Sequence, residues 1–417
     1  MKNILIFILL ASFFGCESQS ITTQNGLIAA ISAAKQNGGT INLNGAKIKV
    51  TSEILIDFDC KVDGGELITV DSTVTAFNVF RIKKGGSLTC SNLKITGPKY
   101  AGGVSENVPF TTAFFVDGGG ASLTLNNCGI YGKFHNSVSK TSTGDTDSTK
   151  TVIWINGGEI DCFAQCVSFF TVNECTGSYF YADGVRFLRS GVSKENNNGN
   201  AYGHTIYMHP SVKANITGCE FGKSERNSIS YFSGSAITSD AGRLKVTNCT
   251  FLSQSQGIYL ATRGIAEISD CTFFGRECVR IGGGDFSIKD NMFLCDATTA
   301  IVSTVGIIRS AKITGNFVKP HAIPSTFGYA MFALISDGNY DISENRVFGT
   351  LYNGSIIFNL SSESAVYRVR DNSFFCNPTY AINGNKGKYS IKDNLYIGPT
   401  VNANFSPLSI KYVDDGN

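Results

Sequence analysis

Histidine, the side chain most often used for proton transfer, is concentrated in one short segment. Two of the chain's four histidines, His204 and His209, fall within six residues. Tyr207 lies between them and has an apolar residue on either side. Because successive side chains of a strand point to opposite faces, Tyr207 and His209 are predicted to face outward. Either could act as a general base, with His204 beside them at the end of the strand.

The same alternation of apolar and polar residues continues in later segments of similar length. Stacked on the first segment, they extend the outward strip by Ser230, Phe232, Tyr259 and Arg280, and Arg263 flanks this strip at a loop end. An aromatic face packs against the flat face of a sugar ring, and an arginine pairs with a carboxylate. Tyr259 and Phe232 are therefore predicted to contact sugars, and the strip as a whole is predicted to contact an acidic polysaccharide.

A lyase mechanism fits these residues. A base removes the proton next to the carboxylate of a uronic acid, and this step begins β-elimination. We assign that base to His209 or Tyr207, and we expect Arg280 and Arg263 to neutralise the carboxylate. The alternative is an aromatic ladder that only shields the sheet, with both histidines hydrogen-bonded in a turn.

A second group of charged residues follows another strand of the repeat. Glu159, Arg186 and Glu220 occupy equivalent positions in successive coils, and Lys223 and Arg226 lie in the turn that follows. Alternating charges on neighbouring strands are most simply a ladder of ion pairs. The alternative is that Lys223 and Arg226 extend a groove that binds an anionic chain.

Several classes of function are excluded or disfavoured. Glycoside hydrolases use two carboxylates a few ångströms apart, and the outward strip is predicted to contain none. No cofactor is predicted, because no acidic cluster marks a clear calcium site, although carboxylates from different coils could assemble one. A net charge of +2 argues against a nucleic-acid partner, and a hydrophobic content of 42% excludes wholesale disorder.

A repeated phrase determines the predicted fold. An apolar residue is followed by two mostly polar residues, then by Cys or Asn, a variable residue and a final apolar or aromatic residue. Twelve copies align along the chain, and the clearest are Val246-Thr-Asn-Cys-Thr-Phe251, Ile268-Ser-Asp-Cys-Thr-Phe273, Ile288-Lys-Asp-Asn-Met-Phe293 and Val369-Arg-Asp-Asn-Ser-Phe374. Each interval holds at least two short strands, which only stacking of one coil on the next can stabilise. The repeat predicts an all-β solenoid, a single parallel β-helix of about 12 coils.

One position of the repeat is predicted to form an internal ladder. Its cysteines are Cys128, Cys219, Cys249 and Cys271, and its asparagines are Asn291, Asn316, Asn345, Asn372 and Asn394. Stacked asparagine side chains can hydrogen-bond to one another, which removes the cost of burying them. The cysteines are expected to be buried thiols, since a regular ladder needs no disulfide.

The start of the domain supports the same fold. Residues 25–38 are predicted to form an amphipathic helix with Leu27, Ala30, Ile31 and Ala34 on one face, which caps the open end of the coils at 39–399. The helix, the following Gly-Gly and the repeated coils together resemble the pectate-lyase-like superfamily of right-handed parallel β-helices, from Asn25 to Pro399. This resemblance implies the architecture only, because that fold carries lyases, hydrolases, esterases, tailspikes and adhesins.

The first residues resemble a bacterial lipoprotein signal. Lys2 precedes an apolar run that is too short to span a bilayer, and the run ends in Ser12-Phe-Phe-Gly-Cys16. Residues 1–15 are the predicted signal peptide, Cys16 the lipidation site, 16–24 a tether, 25–417 the domain and 400–417 its C-terminal cap or tail. The alternative is ordinary cleavage, with Cys16 discarded or free.

Together these features predict a protein of the cell envelope, lipid-anchored at the outer membrane or cell surface. Its partner is predicted to be a polysaccharide, and its membrane contact is predicted to be the lipid anchor alone. The expected function is a lyase of acidic polysaccharides. The alternative is a surface lipoprotein that binds glycans, as an adhesin does, without catalysis.

Overall fold

A computed structural model describes the chain over 20–69, 77–98, 112–132, 134–141, 149–162, 165–170, 178–189, 204–208, 211–222, 235–240, 242–260, 264–303, 306–320, 330–349, 356–376, 380–384 and 386–396. One helix, Gln24–Asn37, precedes a long series of strands. Every strand pairing is parallel and joins one coil to the next, which confirms the predicted parallel β-helix. The predicted signal peptide, Cys16 and the C-terminal tail lie outside the described residues.

The strands form three faces. Face A comprises Thr40–Asn42, Asp59–Asp63, Ser87–Ser91, Ser122–Asn126, Thr151–Asn156, Ser178–Asp183, Lys213–Thr217, Arg243–Thr247, Gly264–Ser269, Gly284–Lys289, Ile307–Thr314, Asp337–Ser343, Val366–Arg370 and Lys388–Lys392. Its side chains alternate between core and exterior, as in Thr151–Asn156 and Ser178–Asp183, and the alternation is interrupted in Ile307–Thr314.

Faces B and C share three long strands, Thr250–Leu260, Thr272–Ile281 and Met292–Ser303. The other strands of face B are Lys47–Val50, Glu66–Thr69, Lys94–Thr96, Gly129–Gly132, Glu159–Cys162, Arg186–Arg189, Glu220–Phe221, Phe317–Pro320, Arg346–Gly349, Ser373–Cys376 and Leu395–Tyr396. The other strands of face C are Ile54–Ile56, Asn78–Lys83, Thr112–Asp117, Asn136–Thr141, Gln165–Phe170, Ile206–Met208, Ser235–Ser239, Ala330–Leu334, Ile356–Asn359 and Tyr380–Asn383.

The turn from face A to face B explains the polar residues of the repeat. In each coil the residue before the ladder position has a positive φ, a conformation that Gly, Asn and Asp adopt at least cost. These residues include Asn92, Asn127, Gly184, Gly218, Asn248, Asp270, Asp290, Gly315, Asp371 and Asp393. Glu344, at φ 59°, is the one member of this row with a longer side chain among the described turns.

The predicted asparagine ladder is confirmed. The Nδ2 atom of Asn291 donates to Oδ1 of Asn316 at 3.0 Å, and the same bond continues through Asn345 and Asn372 to Asn394. Each Nδ2 also donates to a backbone carbonyl of the preceding coil. The buried amides are therefore fully engaged, as their burial requires.

The cysteine part of the ladder uses a related bond. The backbone N–H of Cys219 donates to Sγ of Cys249 at 3.4 Å, and that of Cys249 donates to Sγ of Cys271 at the same distance. The eight cysteines whose side chains are described are buried free thiols, as predicted. Burial raises the pKa of Cys60 and of Cys128 to about 11, so both remain protonated and unreactive at neutral pH.

Aromatic side chains stack inside the helix in the same manner. The rings of Phe187, Phe221, Phe251, Phe273 and Phe293 form a continuous column with centroids 4.5 to 5.1 Å apart. The spacing follows from the parallel register, because equivalent residues of adjacent coils lie about 4.8 Å apart. This column occupies the last position of the repeated phrase.

The predicted capping helix is present at Gln24–Asn37. It buries Leu27 and Ile31, and Ala30 and Ala34 pack partly against the core. Thr23 caps its first turn by accepting a hydrogen bond from the backbone of Gly26 at 3.1 Å. Among the described residues, no helix has the length and apolar character needed to cross a membrane.

We predict that Asn345→Ala lowers the free energy of unfolding by about 3 kcal/mol. The substitution removes the Oδ1 atom that accepts from the backbone N–H and from Nδ2 of Asn316. It also removes the Nδ2 group that donates to the carbonyl of Ile313 and to Oδ1 of Asn372 inside the core. Denaturant unfolding of the two proteins measures the difference. The exposed Asn339, which bonds only to a neighbouring carbonyl, is the control, and Asn339→Ala should cost less than about 0.5 kcal/mol. Equal effects of the two substitutions would contradict a structural role for the ladder.

Candidate functional site

A row of outward side chains on face C forms the candidate site. Tyr207, Thr238, Tyr259 and Arg280 are register partners on four successive strands, and we call these four residues the strip. The residue before each of them is an aliphatic residue of the buried core. Alternation therefore directs these side chains away from the core, as predicted for Tyr207, Tyr259 and Arg280, although Thr238 is itself buried by its neighbours.

One member of the row differs from the prediction. Thr238, from Ser235–Ser239, lies between Tyr207 and Tyr259, so the expectation that Ser230 takes this place is wrong. The strand is anchored by Ile237, which pairs with Ile206 and Ile258. The other inward side chains of this strand are small. In the sequence, the segment around Ile229 is therefore more apolar than the true strand.

Six predicted residues lie outside the described part of the chain. These are Cys16, His209, Lys223, Arg226, Phe232 and Arg263.

The charged residues Glu159, Arg186 and Glu220 are described, and they lie on face B rather than on the strip. Arg186 bridges Glu159 at 2.8 Å and Glu220 at 3.9 Å, which supports the simpler interpretation as a ladder of ion pairs.

Arg280 and Tyr259 form the best defined part of the strip. The guanidinium group lies over the Tyr259 ring at 5.9 Å from the centroid, and its Nη2 donates to Oε1 of Glu277 at 2.8 Å. Glu277 in turn accepts from Nε2 of Gln256 at 2.9 Å, and Gln256 accepts from the hydroxyl of Ser235 at 2.8 Å. A chain of hydrogen bonds across three coils thus fixes the position of the guanidinium.

Glu277 overturns the expectation that the strip contains no carboxylate. Strict alternation would direct Glu277 inward, because it lies two residues before the buried Val279. At the bend between faces B and C, however, Cys278 and Val279 are both buried, so alternation is broken there. Glu277 therefore lies on the same side as Arg280 and balances its charge.

His204 and Tyr207 form a second part of the site. Their rings are stacked with centroids 5.8 Å apart, and Nδ1 of His204 lies 2.8 Å from the hydroxyl of Thr238. Burial lowers the pKa of His204, so its imidazole is neutral at neutral pH. Burial and then the charge of Asp240 raise the pKa of Tyr207, so its phenol stays protonated.

These two parts are well separated along the axis of the helix. Tyr207 and Arg280 are three strands apart, which corresponds to about 14 Å at the spacing of parallel strands. A base removes a proton that lies on the carbon next to the carboxylate. Tyr207 and Arg280 therefore cannot reach the same sugar, and a bound chain would contact them with different units.

Several polar atoms in and near the strip have no hydrogen-bond partner among the described residues. They are Oδ1 of Asn136, Oε1 of Gln165, Oγ of Ser168 and Nε of Arg280, and all four are buried. Ser168 is the register partner of Tyr207 on the preceding strand. Burying a polar atom without a hydrogen bond lowers the stability of the fold by roughly 1–3 kcal/mol. These coils therefore hold polar side chains that core packing alone does not require.

The described residues include no group of three or more His, Cys, Asp or Glu side chains placed to hold a metal ion. The described side chains of the site supply a neutral imidazole, a protonated phenol, an arginine fixed over an aromatic ring, and the carboxylate of Glu277.

Comparison with known proteins finds structural similarities, and two of the solved structures are described below. No protein-family model matches the chain, and no curated protein matches it. PfbA, a surface adhesin of Streptococcus pneumoniae, superposes with a TM-score of 0.48 at 12% identity over 89% of this chain and 87% of its own. A tailspike protein of E. coli bacteriophage HK620 gives a TM-score of 0.44 at 11% identity over 89% of this chain and 74% of its own. Similarities of this size say nothing about function, which therefore rests on the site itself.

Proposed function

We propose that the strip binds a polysaccharide chain that runs along the axis of the β-helix. The observation that carries this proposal is the fixed Arg280–Tyr259 pair. Its guanidinium is held by Glu277 and its network, and the Arg280 side chain is 29% exposed beside the Tyr259 ring. A donor beside an aromatic face matches a sugar, which offers one flat apolar side and a rim of oxygen atoms.

The polysaccharide is proposed to be acidic, because Arg280 pairs well with a carboxylate through its remaining donors. Glu277 limits this preference, since it already balances the charge of Arg280. A non-catalytic role in glycan binding, as in a surface adhesin, needs nothing beyond this geometry. It is the function that the strip supports best.

β-Elimination is the second candidate, and the His204–Tyr207 pair favours it. A neutral imidazole is ready to accept a proton, while a protonated phenol can donate one to the leaving oxygen. In this scheme His204 replaces Tyr207 as the base, because the raised pKa of Tyr207 makes its phenolate scarce at neutral pH. Arg263 and His209 keep their proposed roles in neutralising the carboxylate and in proton transfer, whereas Arg280 would hold a neighbouring sugar.

The proposed location is the cell envelope, with a lipid on Cys16 as the membrane anchor. The sequence of residues 1–16 supports it, through a short apolar run that ends at a cysteine. An anchored rod would present its faces to the polysaccharides around the cell.

We predict that Arg280→Ala and Tyr259→Ala each weaken binding of polygalacturonate about tenfold, because each removes one side of the fixed pair. Calorimetric titration of the full chain measures this change. Glu159→Ala is the control, since Glu159 lies on face B in an ion pair with Arg186 and should bind as the unsubstituted protein does. Glu277→Gln should strengthen binding, because it removes a competing carboxylate. Unchanged affinity in both Arg280→Ala and Tyr259→Ala would show that the strip only shields the sheet.

If the protein is a lyase, His204→Ala should lower the turnover rate about a hundredfold or more, while Arg280→Ala should act mainly on KM. The absorbance of unsaturated uronates, followed with pectin, alginate and glycosaminoglycans, measures the reaction. Binding without product from any of these substrates would exclude the lyase and leave the non-catalytic role.

The anchor predicts that Cys16→Ala releases the protein from the membrane fraction, because no acyl chain can then be attached. Fractionation of cells followed by detection of the protein measures the distribution. Retention of the Cys16→Ala variant in membranes would contradict acylation at this residue.

A further inference from the structure

The chain's single tryptophan lies on face A, away from the strip. Trp154 belongs to Thr151–Asn156 and is 45% exposed, although Ile153 and Ile155 on either side are buried. Alternation therefore fixes the indole on the exterior. A large aromatic side chain at such a position gives little to the stability of the core, so its place there needs another explanation.

Two tyrosines extend this aromatic surface onto the next strand. Tyr181 is the register partner of Trp154, and the two ring centroids are 5.4 Å apart. Tyr179 lies two residues earlier on the same outward side, with its ring 6.4 Å from that of Tyr181 and inclined by only 6°. Their inward neighbour Phe180 is fully buried. We call Trp154, Tyr179 and Tyr181 the aromatic platform.

Two lysines border the platform. Nζ of Lys213 lies 5.2 Å from the centroid of the Tyr179 ring and 3.4 Å from its hydroxyl oxygen. Nζ of Lys150 lies 5.7 Å from the same centroid. Neither lysine has a carboxylate partner among the described residues, so their charges are free to meet an anion, in contrast to that of Arg280.

The neighbouring positions favour a glycan over a protein. On the strands beside the platform, Trp154 and Tyr181 face the polar side chains of Thr124 and Asn215. The apolar area is thus narrow and rimmed by hydrogen-bonding groups. A stable protein partner needs about 800 Å² on each side, whereas a sugar chain needs only ring faces and nearby donors.

We propose that the aromatic platform, with Lys150 and Lys213, is a second binding surface for acidic polysaccharide. It lies on a different face from the strip and does not depend on the function proposed for the strip. If both surfaces bind the same polymer, they act as a bivalent grip on it, in which the second contact forms at a high effective concentration.

Because Trp154 is the only tryptophan, its fluorescence reports on the platform without any label. Titration of the full chain with polygalacturonate should give a saturable change in the intensity and wavelength of its emission. Tyr181→Ala should weaken that response about tenfold. Lys213→Ala should weaken it for polygalacturonate but leave any response to neutral mannan unchanged. Phe348, exposed to 48% on face B, is the matched control, and Phe348→Ala should leave the response intact.

The outcomes for the two surfaces are separable. If emission does not change while calorimetry still detects binding that depends on Arg280, glycan binding at the platform is refuted and glycan binding at the strip is supported. If Arg280→Ala leaves the emission change intact, the platform stands by itself. An emission change that depends on protein concentration without glycan would mean that a second copy covers the platform, and an equal response to single-stranded DNA would mean a nucleic-acid site. Either result would overturn the proposal.

Discussion

The structure depends on the parallel hydrogen-bond register between successive coils. This register brings equivalent residues of adjacent coils to about 4.8 Å, and it repeats along all three faces. A side chain that suits one coil then meets its own counterpart in the next. Phenylalanines stack into a column, asparagines pair amide to amide, and thiols accept from the next backbone N–H. The same register also aligns outward side chains from neighbouring strands, and it thereby forms the strip and the aromatic platform.

The sequence predicts the inside of such a molecule better than its outside. The ladder from Asn291 to Asn394 follows directly from the repeated phrase, because an interior position tolerates only side chains that pair with themselves along the stack. The positive-φ residues before the ladder follow for the same reason. Outward positions carry no such restriction, and loops of unequal length separate them in the chain. The prediction of Ser230 in place of Thr238 is therefore wrong, since a local apolar signal is the only guide to this strand.

Two further differences have specific physical causes. Glu277 lies beside Arg280 because the alternation is broken between faces B and C, where two successive residues turn inward and the period of two is lost. No sequence pattern identifies such a bend by itself. Trp154 lies outside the predicted site, because the histidines favour a different strand. A signal was present, since the only tryptophan occupies the outward position between Ile153 and Ile155. The outward positions of every face would have to be compared to find it.

The buried thiols have a consequence for how the chain folds. In the folded state burial protects these thiols from oxidants and from disulfide exchange, and it also raises the pKa of Cys60 and of Cys128. The unfolded chain has neither protection, and its thirteen cysteines could then cross-link in many wrong combinations. In an oxidising compartment the coils must therefore close over their sulfur atoms before those atoms react. Folding therefore competes with the oxidation of the cysteine thiols. Each coil that docks buries its own thiols and so removes them from this reaction.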